Sequence, residues 1–167
     1  MRIAFILLAC LCLPLQAEPV KPEFSYTTFI AKPAKTVWNA LTQKDTVNQY
    51  YLAPIHTLEL KQGGKISYGG EQEMISGTIT KLEAPKTLTH TFNFAGSKDP
   101  ETTVSYSIEP IGEEMCALTV THSGFQEENQ TYANVAGGWP FILSSLKTLL
   151  ETGKPMPWPK PEAQETE

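Results

Sequence analysis

Apolar and polar residues alternate in three stretches of the second half of the chain. The residues that share one face of these stretches are Leu88, His90, Phe92 and Phe94, then Val104, Tyr106 and Ile108, then Cys116, Leu118, Val120 and His122. A period of two places every second side chain on the same side of an extended strand. The pattern therefore predicts three β-strands, each with one face turned towards a hydrophobic core.

Strands are also predicted earlier in the chain, where branched and aromatic residues lie between turn residues. These stretches are 24–31, 55–61, 65–68 and 73–82. Gly63 and Gly64 indicate a hairpin turn between two of them. Because strands joined by hairpins pair without crossover segments, the six to seven strands should form one antiparallel sheet.

Helical spacing appears before and after this run of strands. Residues 33–42 predict a short helix, and a second short helix should run to about Tyr51 with Asp45 as its cap. Near the C-terminus one apolar stripe recurs at helical intervals through Val135, Trp139, Ile142, Leu146 and Leu149. Helices at only the two ends of a strand-rich chain predict an α+β layer fold.

The terminal helix carries signals for a start, an interruption and an end. Asn129 can cap its first turn, and Gly153 is a good helix stop. Pro140 lacks the N–H group that a helix interior uses. The regular helix is therefore expected to begin near Trp139, after a kink or break.

Both ends of the chain are predicted to lie outside the folded domain. Residues 1–17 combine a positive charge at Arg2, an apolar run and a small residue at Ala17, which is the pattern of a signal peptide. The domain is predicted over 18–154, and 155–167 should be a disordered, proline-rich acidic tail. Cleavage near Ala17 would give a periplasmic or secreted protein.

Charge and cysteine content narrow the class of protein further. The formal net charge is −5, and the single arginine, Arg2, lies in the predicted signal peptide. This balance argues against a nucleic-acid partner, because phosphate binding and base readout depend on cations. Of the cysteines only Cys116 would remain after cleavage, and it is expected to be a buried, inert thiol. No other apolar run is long enough for a transmembrane helix.

Four sequence motifs occur in an order that resembles one protein family. They are residues 33–42, the hairpin at Gly63 and Gly64, residues 77–88, and the helix with Gly138 and Trp139 followed by Leu143, Leu146 and Leu150. Together they resemble the activator of heat-shock-protein ATPase homologue family, over roughly residues 24–153. The family is part of the START-like, or SRPBCC, superfamily.

The resemblance implies a helix-grip fold, in which a curved antiparallel sheet surrounds a long C-terminal helix and leaves a cavity between them. Members of the superfamily carry or process lipids, polyketides and other apolar molecules. This chain departs from the family pattern at Tyr50 and Tyr51, where relatives often have tryptophan, and at Pro140. The chaperone partner of the family is cytosolic and this chain is predicted to be exported, so that activity is not carried over.

His90, Tyr106 and His122 are the polar members of the inward strand faces. The expected register places His90 opposite Tyr106 and His122 opposite Val104. Such a cluster could anchor a polar group of a ligand or act as acids and bases. The favoured interpretation is that these buried histidine and tyrosine side chains only satisfy each other's hydrogen bonds. No carboxylate and no third metal ligand occurs at a suitable spacing, so neither a metal site nor a cofactor is predicted.

The inward faces hold enough aromatic residues to line an apolar pocket or to fill a core. The candidate ligand-binding residues are Tyr50, Tyr51, Tyr68, Met74, His90, Phe92, Phe94, Tyr106, His122, Trp139 and Ile142. The leading hypothesis is a carrier or sensor of a small apolar molecule or lipid, and not an enzyme. It requires open space between the terminal helix and the sheet.

Two other functions are compatible with the sequence. The first is a pocket enzyme, similar to a cyclase or hydrolase, that uses His90, Tyr106 and His122. The second is a protein-interaction module of the cell envelope, similar to the chaperone-regulator relatives, which predicts an exposed apolar patch.

Overall fold

The structure, a computed structural model, describes residues 21–158. The predicted signal peptide and residues 159–167 of the predicted tail lie outside this part of the chain. The strands are β1 Phe24–Ile30, β2 Ile55–Leu58, β3 Lys65–Gly69, β4 Glu73–Glu83, β5 Thr87–Phe94, β6 Thr102–Pro110 and β7 Cys116–Ser123. The helices are α1 Ala34–Thr42, α2 Lys44–Tyr50 and α3 Gln130–Thr152.

The seven strands form one antiparallel sheet in the order β1-β7-β6-β5-β4-β3-β2. Strands β2 to β7 pair with their neighbours in sequence, and β1 pairs with the last strand, β7. The inward face of the sheet and the apolar face of α3 enclose the core. The opposite face carries hydroxyl pairs such as Thr27 with Thr119 and Thr89 with Ser105. The predicted α+β helix-grip fold is confirmed.

The register between β5 and β6 differs from the expected one. Phe92, not Phe94, pairs with Thr102, so His90 lies opposite Val104 and not opposite Tyr106. Phe94 extends beyond β6 and pairs only with Ile75 of β4. The prediction for the next hairpin was right, because Val104 does pair with His122.

The expected break in the terminal helix is absent, since α3 runs continuously through Pro140. Proline removes one backbone hydrogen bond. Val135, Trp139 and Ile142 lie on both sides of it and are all buried, so packing of the apolar face outweighs that loss. The predicted ends are confirmed: the Asn129 side chain accepts a hydrogen bond from a backbone N–H of the first turn, and Gly153 adopts the left-handed conformation.

The predicted cap of the second helix is also corrected. Gln43 is the residue before the first turn of α2, and Asp45 lies inside that turn without a capping hydrogen bond. The α1 helix ends at Thr42, so a single residue separates the two helices. This short connection leaves no room for a cap at Asp45.

Polar contacts fix both ends of α3 to the sheet. Near its start, the Thr131 hydroxyl donates to the carboxylate of Asp99 in the β5–β6 loop, at 2.5 Å. Near its end, Lys147 Nζ donates to the Phe29 carbonyl at 2.7 Å, and Glu151 accepts from the Ala31 N–H at 2.8 Å. The position of α3 over the sheet is therefore set at two places. No helix within residues 21–158 is long and apolar enough to cross a membrane.

Candidate functional site

A small apolar cavity lies between α3, the loop after α2, and the adjacent ends of β4 and β5. It is lined by Tyr51, Leu52, Ile75, Phe92, Phe94, Asn134, Val135, Gly138, Trp139 and Ile142. Its volume is about 50 Å³. A cavity of roughly 150 Å³ admits benzene, and pockets for larger ligands run to roughly 300–1,000 Å³. The cavity is therefore smaller than the pocket hypothesis requires, and a ligand could enter only if the cleft opened.

The periodicities of strand and helix explain why these residues meet. Strand alternation places Phe92 and Phe94 on the same side of β5, and Ile75 lies opposite Phe94. Helical spacing brings Val135, Gly138, Trp139 and Ile142 to one side of α3. The lining is therefore assembled from one strand face and one helix face.

Leu52 and Gly138 form the mouth of the cavity. Leu52 is 55% exposed although it lines the cavity, so it separates the interior from solvent. A Cβ atom placed on Gly138 would lie 3.6 Å from Leu52 Cδ1, which is an ordinary contact distance. Because Gly138 has no side chain, only Leu52 covers this point.

The sequence-predicted pocket residues fall into three groups. Tyr51, Phe92, Phe94, Trp139 and Ile142 line the cavity. Tyr50, Tyr68, His90, Tyr106 and His122 are buried in the core and do not line it. Met74 is 54% exposed, because strand alternation turns it away from its lining neighbour Ile75.

Aromatic rings fill the core below the cavity. Tyr51 stacks on Tyr68 with ring centroids 4.4 Å apart, and the edge of Trp139 meets Tyr51 at 6.3 Å and Tyr106 at 5.8 Å. Burial raises the pKa of the Tyr51 and Tyr106 phenols well above the usual value. These phenols stay protonated and can act only as hydrogen-bonding groups.

A chain of hydrogen bonds occupies both ring nitrogens of His122. The indole Nε1–H of Trp139 can only donate, so it donates to His122 Nδ1, at 3.1 Å. The proton of the neutral imidazole is then on Nε2, which donates to the Thr102 hydroxyl at 2.7 Å. Thr102 in turn donates to the Phe92 carbonyl at 3.2 Å. Burial, with a smaller effect of nearby His90, lowers the pKa of His122 to about 3.

His90 has one ring nitrogen bonded and one without a partner. Its Nδ1 lies 2.7 Å from the Thr91 carbonyl, so Nδ1 carries the proton. Its Nε2 is then a buried acceptor without a hydrogen-bond partner in the described part of the chain. Burial lowers the pKa of His90 to about 4, although the bond to Thr91 partly opposes this shift.

This arrangement does not favour acid–base chemistry. His90 is 1% exposed, His122 is fully buried, and neither lines the cavity. The lowered pKa values keep both rings neutral at pH 7. A general base must reach the proton that it removes. The cavity instead offers apolar contact, with Asn134 as its one amide side chain.

Five of the lining residues were not predicted from the sequence: Leu52, Ile75, Asn134, Val135 and Gly138. Val135 was assigned to the core stripe of the helix, and Ile75 to a strand. Gly138 was noted as part of the family motif, and the absence of a side chain there leaves Leu52 as the side chain at the mouth. The sequence signal that could have indicated the mouth was Gly138, a glycine directly before the buried Trp139.

A second, wider groove of about 380 Å³ lies on the outer face of the sheet. It is polar, and its lining includes His56, Lys65, Ser67, Glu73 and Glu101. Its lining is unlike that expected of an apolar ligand site.

Several solved structures share this fold. CalU16 from Micromonospora echinospora is 24% identical, with a TM-score of 0.68 over 81% of this chain and 77% of that protein. The Aha1 dimer from Colwellia psychrerythraea is 23% identical, with a TM-score of 0.69 over 80% and 98%. An HSP90 activator from Plasmodium falciparum, PFC0360w, is 21% identical, with a TM-score of 0.66 over 77% and 96%.

At these identities the similarity establishes the fold alone. No curated protein matches the sequence significantly. The sequence pattern of one family, described as Activator of Hsp90 ATPase homolog 1-like protein, matches residues 31–151. That range contains α1, the strands β2 to β7 and nearly all of α3. The chain therefore belongs to the Activator of Hsp90 ATPase homolog 1-like family, as the resemblance of its motifs predicted.

Proposed function

We propose that the protein binds a small apolar molecule in the cleft between α3 and the sheet, as a carrier or sensor. The observation that carries this proposal is the apolar lining of a cavity that reaches the surface at Leu52 and Gly138. Burial of apolar ligand surface would supply the binding free energy, at roughly 25 cal/mol per Å². The Asn134 side-chain oxygen accepts from Gln130 Nε2 at 2.9 Å, which leaves its NH₂ group to donate to one polar group of the ligand.

Binding requires the cleft to open, because about 50 Å³ is too small for a molecule of several rings. Leu52 is the side chain best placed to move, since more than half of its surface is already exposed. Phe94 is only partly buried and extends beyond the edge of β6, so it has fewer neighbours than Phe92. The floor formed by Trp139 is held in place by its bond to His122. Opening should therefore occur at the mouth and not at the floor.

We also propose that binding takes place outside the cytoplasm. Support comes from the signal-peptide pattern of residues 1–17. N-terminal sequencing of the protein from its native host should give a chain that starts at Glu18. A chain that retains Arg2 would refute export and leave the binding proposal untouched.

The binding proposal is tested with the fluorescent probe 1-aminoanthracene and two matched variants. Gly138→Leu puts an apolar side chain into the mouth, next to Leu52. Gly137→Leu makes the same change one residue earlier, where a Cβ atom would meet nothing within 4 Å. Saturable probe binding should be lost in Gly138→Leu and kept in Gly137→Leu.

Circular dichroism of both variants checks that the helix is intact. Equal affinity of the two variants for the probe would show that the probe binds elsewhere. A wild-type protein that binds neither 1-aminoanthracene nor any of a series of fatty acids and aromatic hydrocarbons would overturn the proposal.

A further inference from the structure

Exposed apolar side chains surround the mouth of the cleft. We define the rim as Leu52, Phe141, Met156 and Trp158. Leu52 and Phe141 are 55% and 43% exposed, and Met156 and Trp158 are half-buried. Leu52 lies against Gly138, and Phe141 follows Gly138 by three residues on the same side of α3. Helical spacing therefore brings Phe141 close to Gly138 and the mouth of the cleft.

The segment after α3 extends the rim. The chain turns back at Gly153, so that the Trp158 ring lies 6.0 Å from the ring of Phe141. A groove of about 180 Å³ remains beside Pro140, Phe141, Ser144 and Met156. This part of the predicted tail thus adds apolar surface to the outer side of α3.

The chain segments that carry the rim contain no charged residues. Residues 129–146, 50–55 and 155–158 contain no lysine, arginine, aspartate, glutamate or histidine. These segments are the first two-thirds of α3, the loop that carries Leu52, and the segment that carries Trp158. Lys147 and Lys154 adjoin these segments, so the absence of charge is confined to the segments that carry the rim.

We propose that the rim docks on the neutral surface of a lipid bilayer. Tryptophan and phenylalanine side chains favour the interface between headgroups and acyl chains, and charged groups disfavour it. The rim holds no basic residue and the formal net charge is −5, so attraction to anionic lipids is not expected to drive docking. The docking surface thus suits zwitterionic headgroups, with apolar side chains inserted between them.

Docking in this orientation places the mouth of the cleft against the membrane. An apolar molecule could then pass from the acyl chains to the cleft without crossing water. This last step rests on the proposed ligand-binding function, whereas docking itself does not.

The test uses sedimentation with phosphatidylcholine vesicles and the full chain without its signal peptide. The double variant Phe141→Ser, Trp158→Ser removes two rim side chains, neither of which lines the cavity. Phe29→Ser is the matched control, because Phe29 is a phenylalanine 56% exposed on the outer side of β1 and is not a rim residue. Vesicle partitioning should fall at least about tenfold in the double variant and stay unchanged in the control. Partitioning should not weaken between about 0.05 and 0.5 M salt, since no charge pairs drive it.

The outcomes separate docking from ligand binding. If 1-aminoanthracene binds and wild-type protein does not sediment with vesicles, docking is refuted and the ligand-binding proposal stands. If wild-type protein sediments with vesicles and does not bind 1-aminoanthracene, the ligand-binding proposal is refuted and docking stands. Equal loss in the Phe29→Ser control would refute the rim as the docking surface. A dimer in solution that the double variant dissociates, with no vesicle binding, would assign the rim to contact between two copies of the chain.

Discussion

At the scale of single residues, the hydrogen-bonding roles of the two buried histidines decide what they can do. His122 is a structural link, because Trp139 and Thr102 occupy both of its ring nitrogens. We expect His122→Phe to lower the free energy of unfolding by about 2–4 kcal/mol, since it leaves the buried Trp139 N–H without an acceptor. Urea unfolding measures this loss. The matched change His56→Phe, on an exposed position of β2, should stay within about 0.5 kcal/mol, and a similar loss there would contradict the argument.

The lowered pKa values give the second residue-scale prediction, on stability against pH. His90 has a pKa of about 4 in the folded protein and 6.5 when exposed, so between these values the unfolded chain binds a proton that the folded chain does not. Stability is therefore full above pH 6.5 and falls as the pH drops towards 4, by about 3 kcal/mol for this group. His90→Gln should lose less stability over that interval than the wild type in urea unfolding. An identical pH profile of the two proteins would show that His90 is not buried in its neutral form.

Sequence pattern predicted which side of each strand these residues occupy, but not their partners. Strict alternation fixes inward or outward direction without knowledge of neighbours. The bonds of His122 depend on Thr102 and Trp139, which lie 20 and 17 residues away along the chain. Such partners follow from strand register and helix position, which periodicity does not encode. The absence of a partner for His90 Nε2 within residues 21–158 could not be predicted either, because it also depends on strand register and helix position.

At the scale of elements, the backbone conformation of a glycine decides whether its replacement by alanine stabilises the protein. Gly137 is exposed and has space around it, so Gly137→Ala should raise the free energy of unfolding by about 0.5–1 kcal/mol. Gly63 also has space around it, but its φ of +78° is one that alanine adopts with strain. Gly63→Ala should therefore destabilise the protein. Thermal unfolding of both variants tests this, and destabilisation by Gly137→Ala would indicate that α3 is not regular at that position.

Element boundaries and order could be predicted from sequence, whereas two element-scale features could not. Proline alone indicated a break at Pro140, but burial of Val135 and Trp139 before it keeps the helix continuous. The β5–β6 register was wrong by two residues, because the loop that follows Phe94 leaves it outside the pairing with β6. In both cases tertiary packing outweighs a local signal.

At the scale of the whole molecule, the volume of the cleft depends on how closely α3 approaches the sheet. That distance is fixed by contacts at both helix ends, from Thr131 to Asp99 and from Lys147 and Glu151 to the end of β1. A small shift of α3 would change the volume of the cavity, and no pattern in the sequence encodes such a shift. The same sequence signals are therefore compatible with an open pocket and with a filled core.

Because the folded cleft and not the unfolded chain would bind the ligand, ligand must raise the stability of the whole domain. A ligand at 100 times its dissociation constant should add about 2.7 kcal/mol, which is roughly 5–15 °C in Tm for a domain of this size. Differential scanning calorimetry with 1-aminoanthracene should show this rise in wild type and in Gly137→Leu. Gly138→Leu should show none, since its side chain fills the mouth beside Leu52. A rise of equal size in all three proteins would place the stabilising site outside the cleft, and the wider polar groove of β2, β3 and β4 would be the next place to look.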